Sequence, residues 1–291
     1  MNRAAWRKWR VWAVAALLLL SACSENTFFY NRLDFVLPWY VDDYVDMNQS
    51  QKAYFDTLLA PFLAWHRSQE LPAYLTILDA IGDSLNQPLT PEDVAAIFAE
   101  FEKAGLRLQG EALDRLLDLG AHLSDAQIAG FLEVMGERQQ EYEEKYLKRT
   151  DQQFHEDNYD NLVDYANDFL GRLSDQQREL PRDASRRLLR SDRAWLQERA
   201  EWIAQLGELL KRQPGWQERV RAQVVKRNAN VPPDYLHIYE HNMSVIYATI
   251  AQLLNSRTEQ QDIHLRKKLS ELRGDIEALI AQGPATSTSP G

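Results

Sequence analysis

Leu89-Thr-Pro-Glu-Asp-Val-Ala-Ala-Ile-Phe98 spells out the start of a helix. Thr90 can cap the first turn with its hydroxyl, and Asp93, three positions on, can reach back to the cap backbone. Pro91 fits the first turn, where its missing N–H is no loss. Apolar residues at helical spacing carry the helix on to 119, with Leu113, Leu116 and Leu117 on one stripe. The same opening recurs at Asn48 with Gln51, Ser124 with Gln127 and Ser174 with Gln177. Tyr54, Leu58, Phe62 and Trp65 make a further stripe. Glycine and proline are sparse and gather at breaks, and no alternating stretch of strand length stands out.

These signals predict helices over 34–46, 48–68, 72–86, 90–119, 124–171, 174–212, 215–228, 233–255 and 257–281. The fold class is therefore all-α, a multi-helix bundle of antiparallel helices with one long central helix. Segment 124–171 has no proline and, if continuous, rises about 70 Å; Gly130 and Gly136 are places where it can bend instead.

The first 22 residues set a cationic start, Arg3 to Arg10, before an apolar run from Val11 to Ala22 that is too short to span a bilayer. Such a segment directs export. It closes on Leu20-Ser-Ala-Cys23, which resembles the bacterial lipobox, and Cys23 is the only cysteine of the chain. The resemblance implies a lipidated Cys23 at the mature N-terminus. Ser24 rather than Asp at the next position implies sorting to the outer membrane, with the folded part facing the periplasm. The chain then divides into a signal peptide (1–22), a lipidated cysteine with a short tether (23–27), an all-helical domain (28–282) and a disordered tail (283–291).

With its one thiol lipidated, the protein has neither thiol catalysis nor cysteine-held metal. Phe28, Phe29, Phe35, Trp39 and Tyr40 follow the tether closely enough to reach headgroups, yet large aromatics are usually core, and packing beneath the first helices is the expectation.

The formal net charge is −10, and it is unevenly spread. Residues 24–181 hold 30 acidic against 12 basic side chains, whereas residues 182–227 hold 12 basic against 6 acidic. The sign excludes nucleic acid as a partner. The basic stretch, with Arg186, Arg187, Arg190, Arg193 and Arg199, is expected to pack beside acidic helices or stay solvated. The acidic ladder Asp157, Asp160, Asp164 and Asp168 lacks the turns and glycine of a calcium loop.

Leu123-Ser-Asp-Ala-Gln127 and Leu173-Ser-Asp-Gln-Gln177, with looser versions at Met47–Gln51 and Leu89–Asp93, resemble the Leu-Thr-x-x-Gln motif of Spy/CpxP-type periplasmic chaperones. A capping box writes the same letters for local reasons. Phe29-Tyr-Asn-Arg-Leu-Asp34, Asp42-Asp-Tyr44, Trp65-His-Arg-x-x-Glu-Leu-Pro-x-Tyr74 and His264-Leu-Arg-Lys-Lys-Leu269 together resemble an uncharacterised family of all-helical proteobacterial lipoproteins. That resemblance implies the lipid anchor and the helical fold and brings no activity.

Within it, Trp65, His66, Arg67, Glu70 and Tyr74 gather an aromatic, an imidazole, a guanidinium and a carboxylate beside a helix-to-helix turn. They form either a polar recognition pocket or a buried staple that sets a helix angle, with Arg67 and Glu70 spaced to pair. Further on, His237-Ile-Tyr-Glu-His241 is formally H-x-x-E-H, whose two imidazoles can hold zinc while Glu240 activates water. A third ligand is needed, and Glu271 or Glu277 are the glutamates at suitable distance.

The reading as a whole is a binding or scaffold protein of the cell envelope without cofactor. Its partners are the membrane, through the lipid, and an envelope protein. A Spy-like chaperone is the alternative, and a zinc hydrolase the more distant one.

Overall fold

The computed structural model describes residues 25–229 and 232–283, and no strand occurs among them. Two short helices, α1 (Glu25–Tyr30) and α2 (Leu33–Asp42), precede α3 (Gln49–Trp65). A widened π turn, His66–Glu70, leads α3 straight into α4 (Leu71–Ser84). Then come α5 (Pro91–Ala121), α6 (Asp125–Leu147), α7 (Asp151–Leu170), α8 (Asp175–Arg187), α9 (Asp192–Leu209), α10 (Trp216–Ala229), α11 (Pro233–Asn255) and α12 (Glu259–Ala281). With 31 residues, α5 is the longest helix described, and it packs against α3, α4 and α11. Cys23 and the expected signal peptide (1–22) lie outside the described residues, as do residues 284–291 of the expected tail.

Two expected long helices are each broken. Segment 124–171 is α6 plus α7, parted at Lys148–Thr150 rather than bent at Gly130 or Gly136. Thr150 starts α7 with a capping box of the same kind as the others, Gln153 accepting from the Thr150 N–H at 2.9 Å. Segment 174–212 is α8 plus α9. Leu188 turns extended there, and the backbone of Leu189 is held by Asn242, whose side chain accepts from its N–H and donates to its carbonyl, both at 2.8 Å.

The two breaks meet in one ionic network centred on the buried Asp192. Arg149, just before the α7 cap, donates to Asp157 at 2.8 Å and to Asp192 at 3.0 Å, and Arg190 donates to Asp192 at 2.9 Å and Asp151 at 2.7 Å. The α6–α7 corner is thereby tied to the α8–α9 corner. Arg190 and Arg199 of the basic stretch are spent inside the fold in this way, Arg199 donating to Gln139 at 2.7 Å, while Arg186 pairs with Asp183 at the surface.

The capping glutamines do more than cap. Gln51 and Gln127 each accept from their own cap N–H, at 3.0 and 2.9 Å, and their amides face each other, each donating to the other's oxygen at 2.9 and 2.8 Å. Each amide also donates to the carbonyl two residues before the partner's cap, Gln51 to His122 at 2.8 Å and Gln127 to Asp46 at 2.6 Å.

The same arrangement joins Gln177 and Gln261, at 2.9 and 3.0 Å, with Ser256 and Arg172 as the outer carbonyls. Two pairs of helix starts are thus clasped amide to amide, and every donor and acceptor of the four side chains is used. Met47 and Leu123, the residues before the first two caps, are buried in one apolar cluster with Phe55, Leu59 and Ile128. Leu173 lies in another with Leu89, Leu170 and Leu265. Gln153 and Asp93 remain exposed and cap only their own helices.

Candidate functional site

Pro72 decides the local backbone at the most distinctive part of the sequence. It has no N–H and its ring crowds the preceding turn, so an unbroken α-helix through it is strained. The chain widens ahead of it instead, Leu71 bonding back to His66 in a π turn. Such turns recur where side chains must be re-aimed. Here the turn sends three polar side chains inward: His66, Arg67 and Glu70 are 4, 6 and 2 % exposed.

The His66 ring lies between two tyrosines. Its Nδ1 is 2.9 Å from the Tyr30 hydroxyl and its Nε2 is 3.4 Å from the Tyr74 hydroxyl. A neutral imidazole has one N–H and one bare nitrogen, so one hydroxyl accepts from the ring and the other donates to it. Burial, helped by the Arg67 charge, pushes His66 down to about 4. Burial likewise pushes Tyr30 up to about 12, and it raises Tyr74 with the Glu70 charge adding to it.

Arg67 and Glu70 do not pair with each other, as their spacing suggests. Arg67 donates to the Gly283 carbonyl and to the Asn31 side chain, both at 2.8 Å, and lies 5.3 Å from the Tyr30 ring centre. Glu70 receives two parallel bonds from Arg107 of α5, at 2.7 and 2.9 Å. Trp65 is half-buried at the rim, 5.9 Å from the Phe62 ring. The structure therefore brings His66, Arg67, Glu70 and Tyr74 together and adds Tyr30, Asn31, Arg107 and Gly283, which nothing in the local sequence announces. Both ends of the described chain are pinned to this turn.

A pH dependence follows. In the unfolded chain His66 takes up a proton near its ordinary value of about 6.5, whereas in the fold it resists until about 4. Between these values the unfolded state binds more protons. Stability is therefore full above the upper value and falls as the pH drops towards the lower. Between pH 7 and pH 5 the wild type is expected to lose on the order of 2 kcal/mol more than a His66→Gln variant, in which that titration is gone. Urea unfolding of both proteins at the two pH values measures the difference, and equal losses would show that His66 is not held neutral.

Residues 43–236 match the model of a family of unknown function, DUF6279. The chain belongs to this family. No curated protein and no solved structure matches it. The family's matched segment contains the π turn, Arg107, the Gln51–Gln127 clasp and the Arg149–Asp192 network; Tyr30, Gly283 and Gln261 lie beyond it.

His237 and Glu240 also fall outside or at the exposed edge of that architecture, near the start of α11. His241 places Nε2 2.9 Å from the Arg187 carbonyl and so carries its proton there. Glu271 and Glu277 face Lys267 at 3.6 Å and Arg273 at 3.1 Å on their own helix. Among the described residues no three His, Cys, Asp or Glu side chains are arranged to hold a metal.

Proposed function

We propose that the protein is an outer-membrane lipoprotein whose helical domain works in the periplasm by binding an envelope partner rather than by chemistry. The observation that carries this reading is Leu20-Ser-Ala-Cys23, which sets the sole cysteine at the end of an export segment and two residues before the first described helix. No described helix is long and apolar enough to cross a membrane. In this reading the attachment is the lipid on Cys23. The polar groups of the His66 turn are satisfied within the protein, which makes them a frame. The partner-facing surface is the rim of that frame, where Trp65 is half-buried and Ser68 and Gln69 are exposed.

Mass spectrometry of the N-terminal peptide from the membrane fraction is expected to show acylated Cys23, and Cys23→Ser is expected to lose the membrane attachment. A photo-crosslinking residue at Gln69 is expected to trap one discrete envelope protein. Turnover of a peptide or lipid by the purified domain, lost on His241→Ala, would overturn the reading.

A chaperone-like holding role is the second reading, favoured by the likeness of the two Leu-Ser-x-x-Gln stretches to the Spy/CpxP motif. Suppressed aggregation of an unfolded client by the soluble domain supports it. Because the clasped glutamines point into the fold, Gln127→Glu is expected to affect stability before client binding.

A further inference from the structure

The sequence Leu33-Asp-Phe-Val-Leu-Pro-Trp-Tyr-Val-Asp42 makes α2 apolar on more than one side, and a helix of that kind calls for cover all round. Among the described residues only one side has it. Leu33, Leu37 and Val41 pack against the core that includes Val45, Phe55 and Leu59. Phe35 and Trp39, four apart and hence on one face, are 75 and 68 % exposed. Phe29 of α1 and Tyr40 extend the exposed aromatic set. The expectation that these aromatics pack beneath the first helices is corrected for Phe29, Phe35, Trp39 and Tyr40; the Phe28 side chain lies outside what is described.

We infer that this face of α2 is a lipid-docking surface, with Phe35 and Trp39 seated in the headgroup layer of the membrane that holds Cys23. The inference rests on the proposed lipidation and adds the orientation of the domain. Chain length supports lipid as the occupant. Cys23 precedes Glu25 by two residues, so an acylated cysteine lies no more than about 7 Å from the start of α1. The bilayer surface is then the nearest apolar medium to α2, and Trp and Tyr favour that boundary because one part of the ring system is apolar and another hydrogen-bonds.

Nor is α1 free to swing away from the domain. Tyr30 is buried against His66, Asn31 accepts from Arg67, and α1 packs on α12. The buried polar turn thereby fixes how the anchored end leaves the domain, and the uncovered face of α2 follows at a set angle.

The test uses the acylated mature protein in phosphatidylethanolamine–phosphatidylglycerol vesicles, with ordinary or brominated acyl chains. Tryptophan emission is read for the wild type and for Trp39→Phe, with Trp202→Phe as a control. Brominated lipid is expected to quench wild type and Trp202→Phe alike, and Trp39→Phe is expected to abolish the quenching. Equal quenching in wild type and Trp39→Phe, or none in either, would overturn the docking inference. So would a dimer in solution that Phe35→Ser disrupts, since the face would then belong to a second copy. The N-terminal peptide mass from the same sample separates the two ideas. An unacylated Cys23 overturns the lipidation reading and the docking with it, whereas an acylated Cys23 without Trp39 quenching overturns the docking alone.

Discussion

Gln177→Glu is expected to lower the stability of the protein by about 3 kcal/mol, while Gln153→Glu changes it by less than about 0.5 kcal/mol. Both residues stand at the third position of a capping box, where glutamate normally serves as well as glutamine. The difference lies in what the amide nitrogen does. At Gln153 the cap N–H meets the side-chain oxygen, and the rest of the side chain is exposed. At Gln177 the nitrogen donates to the Ser256 carbonyl at 3.1 Å and to Gln261 at 2.9 Å, in a buried setting.

A carboxylate has no hydrogen to give, so the substitution removes two bonds and turns an oxygen against two acceptors. Each buried polar group left unpaired costs about 1–3 kcal/mol. Urea midpoints of the two variants decide the matter. Equal shifts would mean that the clasp contributes nothing beyond capping.

The second large effect is expected at Asp192, where Asp192→Asn costs about 3 kcal/mol. Its side chain is as buried as that of Arg149, at 8 % exposure each, and it receives bonds from both Arg149 and Arg190. Removing the charge leaves one arginine buried with only Asp157 and the other with only the exposed Asp151. Breaking a buried pair from one side is costly because the remaining charge keeps its desolvation penalty. Replacing both partners, as in Arg149→Met with Asp192→Leu, is expected to recover much of the loss. Asp183→Asn, which removes an exposed pair with Arg186, is expected to cost under about 1 kcal/mol. Thermal unfolding of the four proteins measures all of this, and a full loss retained in the double variant would show that the network is needed for the fold to form.

The pairings behind both effects join distant parts of the chain. Thr150 with Gln153 is the same signal as Ser174 with Gln177, and the helix start it marks at 151 is legible in the letters once proline is no longer required for a break. Nothing near Gln177 reveals that Gln261, 84 residues on, completes its amide. Arg67 shows the same limit. Its spacing to Glu70 suggests a pair on one helix face, but the π turn ahead of Pro72 re-aims both side chains. Arg67 finds Gly283, 216 residues away, and Glu70 finds Arg107.

By itself, the sequence determined the all-α class and most helix starts, but not which side every helix turns to the core. Leu116, read onto an apolar stripe, is exposed, and α3 buries Phe55, Leu59 and Leu63 more deeply than Tyr54, Leu58 and Phe62. Caps and periodic stripes act over three or four residues, and their physics is complete within a turn. Tertiary structure decided which capping glutamines clasp each other, why two long helices break, and that the His66 turn is a closed frame holding both ends of the described chain. It also decided that Phe35 and Trp39 stay exposed among the described residues, because whether an aromatic is buried depends on what the rest of the chain places over it, and no described element is placed over that side of α2.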